Sequence, residues 1–478
     1  MYFYEFGVKI LMGDKMIENV FKYFYEFSKI PHGSGNTKQI SDYLVKFAKD
    51  RNLEHYQDEV NNVIIIKEAG KGYENAPAVI IQGHMDMVCA KEPDCTKDMT
   101  KEGIDIETDG EYLFAKGTTL GGDDGIAVAY ALALLDDTKN NYPRLEVVIT
   151  VDEEIGLLGA NHIDLSMLKG KIMLNIDSES EGVFTAGCAG GLRIDSWLDI
   201  SRENVNKKAF KISLKGLKGG HSGVDINKNR GNANKIMGEI LELLPDILIV
   251  SINGGSADNV IPSICNAVIK ADSIDFSIIE KIKEKYNQSE PDLEIIIEEA
   301  DCDNQAMDLK STQKIIAVIN KMPNGIQEMH KDIDGLVKTS LNMGIISTEQ
   351  DKFHIATSVR SSSDEEKYAL TEKVKAITES YGEKAETRGD YCGWDYKKDS
   401  SLRELMCDVF KKQYGKEPVI DIIHAGLECG IISSKIEGLD CISFGPDLFD
   451  IHTPKERLNI KSAQRVWNFI KAVLKEIK

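Results

Sequence analysis

Three short, almost wholly apolar runs constrain this chain most: AVIIQG at 78–83, LEVVITV at 145–151 and KIMLNI at 171–176. Each reads as a β-strand buried on both faces. Between them lie IAVAYALALL, of high helix propensity with Asp124 at its expected start, and GLLGANHI, which begins a turn and a short helix. Strands alternating with helices imply an α/β fold with a mostly parallel sheet covered on both faces.

The same strands end in chemistry. GHMD, VDEEIG and NIDSE follow the three runs, GGDDG precedes the Ala/Leu-rich helix, and DIHTPKE lies near the chain's end. Together they supply His84, Asp86, Asp123, Asp124, Glu153, Glu154, Asp177 and His452. In an open parallel sheet, ligands bind outside the carboxyl ends of the strands, so residues far apart in sequence can converge there. His84 and Asp86 are two apart and face one side of an extended chain. The Asp can hold the imidazole nitrogen turned away from a metal. Glu153 and Glu154 are adjacent and point apart, which suits one ligand and one free base. Asp123 opens a turn, where a short carboxylate can bridge two cations. Two histidines and three carboxylates carry a charge of about −3 against +4 for two divalent ions, and the surplus polarises a carbonyl and acidifies a water. Nitrogen and oxygen donors without thiolates fit zinc, with cobalt or manganese as alternatives. Singly, each motif is bland: a strand-end pair, a helix cap, a solvated turn, a loop histidine. Their joint occurrence at successive strand ends points to metal-assisted hydrolysis.

At 478 residues the chain exceeds the usual size of a single core. Helical spacing predicts helices over 16–29 and 38–52, and VIII at 63–66 reads as a strand. The character changes near Gly190, where strand-like segments such as KAFKISLKG and KFHIATSVRS are separated by helices such as NANKIMGEILELL and STQKIIAVINKM. That predicts an inserted α+β domain with a largely antiparallel sheet over 191–390, flanked by catalytic segments 1–190 and 391–478. A net charge of −20 argues against nucleic acid as a partner. Nine cysteines without C-x-x-C pairs fit free thiols in a reducing cytoplasm. The N-terminus shows no signal-peptide pattern, and no run approaches the roughly 20 apolar residues of a membrane span. Met1, Met12 and Met16 are the candidate starts. His162, His330 and His354 read as ordinary structural or surface histidines.

The motifs GHMDMV, LGGDDGIAVA, TVDEEIGLLGA, NIDSE, GGHSG, HAGLECG and GPDLFDIHTPKE, in order and spacing, resemble the co-catalytic zinc peptidase family that includes aminoacylases, carboxypeptidase G and cytosolic dipeptidases. The similarity is greatest to its aminoacyl-histidine dipeptidase branch and covers nearly the whole chain. It implies a two-metal dipeptidase with a metal-bridged water. One ion would take His84 and Asp177, the other Glu154 and His452, with Asp123 bridging. Asp86 would orient His84, and Glu153 would be the general base. The branch often has Asp-Asn where this chain has Asp123 and Asp124. The insertion would be a lid offering His221 in GGHSG, Asn259, Arg360 and Gly426 (of HAGLECG) to a dipeptide with a free amino terminus, and a homodimer is implied. An N-acyl amino acid deacylase with the same metal centre and an inactive metal-binding scaffold are the rival readings.

Overall fold

The computed structural model describes residues 15–478 apart from 332 and 334. Met1 and Met12 lie outside the described residues, and Met16 falls within the first helix, Lys15–Phe27. The chain divides into two compact units. Among the described residues, one comprises 15–187, 396–422 and 427–478, the other 188–395 and 423–426.

The first unit is built on an eight-stranded mixed sheet. At its centre Leu145–Thr150, Val79–His84, Ile172–Asn175 and Asp440–Ser443 run parallel in that order. Antiparallel neighbours lie outside them: Val63–Lys67 pairs with Leu145–Thr150, and Glu54–Gln57 pairs with Val63–Lys67. Every residue of the strands Val79–His84 and Leu145–Thr150 is buried, as their unbroken apolar runs predict.

The helix Gly122–Asp136 is apolar all round from Ile126 to Leu135, and each of those residues is buried. It sits against the strand Val79–His84, and Gly83 makes that approach possible. A Cβ there would lie 2.6 Å from Ala127 Cβ and closer still to the Asp124 carboxylate. The closing helix Ile460–Glu476 joins the same core through Trp467, stacked on Tyr130 at 5.9 Å.

The second unit holds a nine-stranded sheet whose strand pairs are antiparallel. Its helices Ala233–Leu243 and Leu309–Lys321 stand where the apolar periodicity puts them. Two more, Ser277–Tyr286 and Asp364–Glu379, go beyond the sequence expectation. This unit has its own hydrophobic core, centred on residues such as Ile212, Ile269, Ile315 and Phe353.

Candidate metal centre

Register determines which side chains meet. His84 ends its strand opposite Thr150, and Gln82 lies opposite Asn175, so Glu153, Glu154 and Asp177 follow just beyond the ends of adjacent parallel strands. His84 Nδ1 lies 3.0 Å from the carbonyl oxygen of Asp86 and 3.5 Å from its carboxylate. The carbonyl can only accept, so Nδ1 carries a proton and Nε2 is the nitrogen left to face a metal. Nε2 faces Asp123 Oδ1 at 3.4 Å and Asp177 Oδ1 at 3.8 Å. The Asp86 carboxylate, expected to hold Nδ1, stands beside it, with the Asp86 carbonyl closer. The carboxylate also spans Ser34 Oγ at 2.8 Å and the backbone N–H groups of Glu153 and Glu154 at 3.1 and 3.4 Å.

Asp123 presents its other oxygen elsewhere. Oδ2 lies 3.1 Å from His452 Nε2, which is also 3.0 Å from Glu154 Oε1. The donor atoms of His84, Asp123 and Asp177 lie within 4.8 Å of one another, as do those of Asp123, Glu154 and His452, with Asp123 common to both groups. Glu153 groups with His84 and Glu154. Asp124 turns away, accepting the backbone N–H of His84 at 3.2 Å, so of the two acids in GGDDG it is Asp123 that faces the histidines.

Such a set of buried acids is electrostatically unbalanced. Burial lifts Asp177 well above the usual carboxylate range; His84 opposes the shift, and the charges of Asp123, Glu428 and Glu179 add to it. Glu153 is raised in the same way by burial, against His84 and with Asp177, Glu428 and Glu154. Hydrogen bonding to Asp123 and Glu154 pushes His452 up to about 10. Mutually repelling carboxylates interleaved with imidazoles form a donor set that fits divalent cations, which would neutralise the acids and compete with protons for the histidines.

In the second unit, His221 Nδ1 accepts the backbone N–H groups of Gly223 and Val224, each at 3.2 Å. That fixes the neutral tautomer with Nε2–H free to donate. Gly223 gives the close approach its motif suggests, since a Cβ would come within 2.9 Å of His221 Cε1 and nearer to the carbonyl of His424. Arg360 is 7% exposed, donates from Nη1 to Tyr391 Oη at 3.1 Å, and has no hydrogen-bond partner at Nε among the described residues. Gly426 lies against the same tyrosine, where a Cβ would stand 2.6 Å from its ring. Asn259 contributes its backbone carbonyl to Ser222 N–H at 2.8 Å and neighbours Val260, the cross-strand partner of His221.

Residues 80–476 match the model of the peptidase family M20/M25/M40. The chain belongs to this family. This chain is a metallopeptidase, a hydrolase acting on peptide bonds. It is 36% identical over 469 residues to the cytosol non-specific dipeptidase of Escherichia coli, covering 95% of this chain and 96% of the relative. The crystal structure of an aminoacylhistidine dipeptidase from Vibrio alginolyticus superposes with a TM-score of 0.89 at 35% identity, over 98% of this chain and 99% of that one. Aminopeptidase PepT from Bacillus cereus shares the fold at 16% identity with a TM-score of 0.57, over 96% of this chain and 98% of that one.

Several polar residues of this M20/M25/M40 chain were not read from its motifs. Glu428, fully buried, accepts from Gln82 Nε2 at 2.5 Å and Thr150 Oγ1 at 2.6 Å, just behind the strand ends that carry the acids and His84. His424 Nε2 lies 2.7 Å from Ser340 Oγ, one strand from Arg360. Both belong to HAGLECG, whose repeated polar positions were the available signal. Tyr391 carried no local signal, and Glu456 closes the DIHTPKE motif without a signal for its partners. His162 pairs with Glu59, and His354 stacks on Trp197 and bonds Asp195. Both therefore have structural partners.

Proposed function

We propose that this chain is a two-metal dipeptidase acting on dipeptides with a free amino terminus, Xaa-His among them. The observation that carries the reading is Asp123, whose two oxygens face different histidines, His84 at 3.4 Å and His452 at 3.1 Å. On this reading His84 and Asp177 hold one ion, Glu154 and His452 the other, and Asp123 bridges. Two divalent cations there would supply Lewis acidity, polarising the scissile carbonyl and acidifying water. Zinc suits the donors best, with cobalt or manganese as substitutes.

The protein's own groups then perform the proton and positioning work. Glu153, buried and raised in affinity for protons, takes the proton of the attacking water and returns it to the leaving amine. Asp86 keeps both His84 and the Glu153–Glu154 turn in place. His221 offers its Nε2–H to the developing oxyanion. Arg360, a buried guanidinium with an unused Nε, binds the terminal carboxylate, with Asn259 and Gly426 shaping its surroundings. A requirement for that carboxylate close to the scissile bond would restrict cleavage to short peptides. The reading extends to a cytoplasmic homodimer, supported by nine cysteines without C-x-x-C pairs and by the family resemblance.

The test combines metal analysis of the purified protein with hydrolysis of a dipeptide panel that includes Xaa-His and an N-acetylated dipeptide. Two ions per chain, cleavage of free dipeptides and refusal of the acetylated one are expected. Cleavage of N-acyl amino acids instead would establish a deacylase. Bound metal without turnover would leave a scaffold.

A further inference from the structure

The DIHTPKE segment does more than supply His452. It forms the turn of a hairpin between Leu448–Phe449 and Arg457–Asn459, strands that pair Leu448 with Leu458 and Phe449 with Arg457. The last residue of that turn, Glu456, is 2% exposed. Its Oε2 accepts the backbone N–H groups of Leu120 at 2.8 Å and Gly121 at 2.9 Å. Its Oε1 accepts those of Gly122 at 2.8 Å and Asp123 at 3.2 Å.

Buried backbone N–H groups need an acceptor. The N–H groups of Leu120 to Asp123 lie ahead of the regular helix: Gly121 has φ of 68°, and Asp123 (φ −83°, ψ 106°) and Asp124 (φ −113°, ψ 30°) depart from helical geometry. The Asp124 carboxylate is occupied with the His84 N–H. A carboxylate from more than 330 residues away takes the role. The fit is close: a Cβ on Gly122 would lie 2.7 Å from Leu448 Cδ2 and 3.2 Å from Glu456 Oε1.

We infer that Glu456 is a positioning residue for the metal centre. It sets the backbone from which Asp123 offers one oxygen to His84 and the other to His452. Because Glu456 and His452 share one turn, the hairpin fixes the bridging acid and one of that acid's partners as a single piece. The inference rests on Asp123 being the bridging ligand. A glutamine at 456 would present an NH₂ group to two N–H donors, so half of the cradle would be lost and the Asp123 loop released. Outer partners of metal ligands typically matter about 10–100-fold in metal affinity or activity.

The experiment titrates metal-free wild type, Glu456→Gln, Glu456→Asp and Asp123→Ala with Co²⁺, read by calorimetry and visible absorption, with far-UV circular dichroism as the check on folding. Glu456→Gln should keep its fold, bind at least one Co²⁺ about 10–100-fold more weakly, show an altered cobalt band, and regain turnover with excess Co²⁺. Glu456→Asp, which keeps the charge but shortens the reach, should lie between it and wild type, and carries the test if the Gln variant does not fold. Wild-type affinity and spectrum in a folded Glu456 variant, or lost thermal stability without a change in metal binding, would overturn the inference. Asp123→Ala separates the two claims. Unchanged binding of both ions there would defeat the bridging assignment itself, whereas loss of an ion there beside unchanged Glu456 variants would defeat the positioning role alone.

Discussion

Asp86 Oδ1 accepts the backbone N–H of Glu153 at 3.1 Å, so the residue that holds the His84 ring also holds the turn carrying the acid pair. Its backbone carbonyl does the first and its carboxylate the second. Asp86→Ala should therefore leave the His84 tautomer largely set while loosening the Glu153–Glu154 turn. We expect turnover to fall about 10–100-fold with a smaller loss of metal affinity. Metal titration beside steady-state kinetics checks this, and equal losses in both would mean that the carboxylate, not the carbonyl, governs His84.

Glu153→Gln should retain both ions and lose about 10²–10⁴-fold in kcat, the usual contribution of a general base. The close grouping of Glu153 with His84 and Glu154 makes this a sharp test. Metal analysis and kcat on one preparation decide it. Loss of an ion in this variant, with normal metal content in Glu154→Gln, would exchange the roles of the two glutamates.

The parallel centre of the sheet and the convergence of His84, Glu153, Glu154 and Asp177 were legible because they follow from local pattern: apolar runs whose next residues are acids. The helix Asp364–Glu379 could have been read from Ser363 and the acids Asp364, Glu365 and Glu366 in its first turn, although its charged sequence hides the apolar stripe. Glu456 and Glu428 stand in the motifs DIHTPKE and HAGLECG, but their partners were out of reach for a different reason. Each satisfies polar groups hundreds of residues away, and no periodicity encodes a partner at that distance. Tyr391 is similar, since its use depends on Gly191 and Gly426 leaving room for the ring beside Arg360.

Arg360→Ala should raise KM for dipeptides while leaving metal content and fold unchanged. A charge-assisted hydrogen bond of this kind contributes about 1.5–3 kcal/mol, or roughly 10–100-fold in kcat/KM. Arg360→Lys should recover only part of the loss, because an ammonium lacks the planar fork that grips a carboxylate. Kinetics on a dipeptide and on its C-terminal amide provide the check. The amide should be a poor substrate for wild type and nearly indifferent to the substitution. A variant with wild-type KM for the free dipeptide would remove Arg360 from substrate binding.

His424 gives the second unit an acid-sensitive joint. Burial and the adjacent Arg360 charge push its imidazole down to about 3, against a hydrogen bond to the Val337 backbone, and His221 adds a weaker push in the same direction. Ser340 Oγ lies 2.7 Å from its Nε2. With an ordinary value near 6.5 in the unfolded chain, the unfolded state takes up a proton between about pH 6.5 and pH 3 that the folded state refuses. Stability therefore falls as pH falls through that window, by up to about 1.4 kcal/mol per pH unit from this group. His424→Gln cannot titrate and should lose this component. Urea unfolding at pH 7 and pH 4.5 should show wild type losing about 2 kcal/mol more than the variant over the same interval. Parallel losses in the two proteins would mean that His424 is already protonated in the folded state, paired in some way that overcomes Arg360.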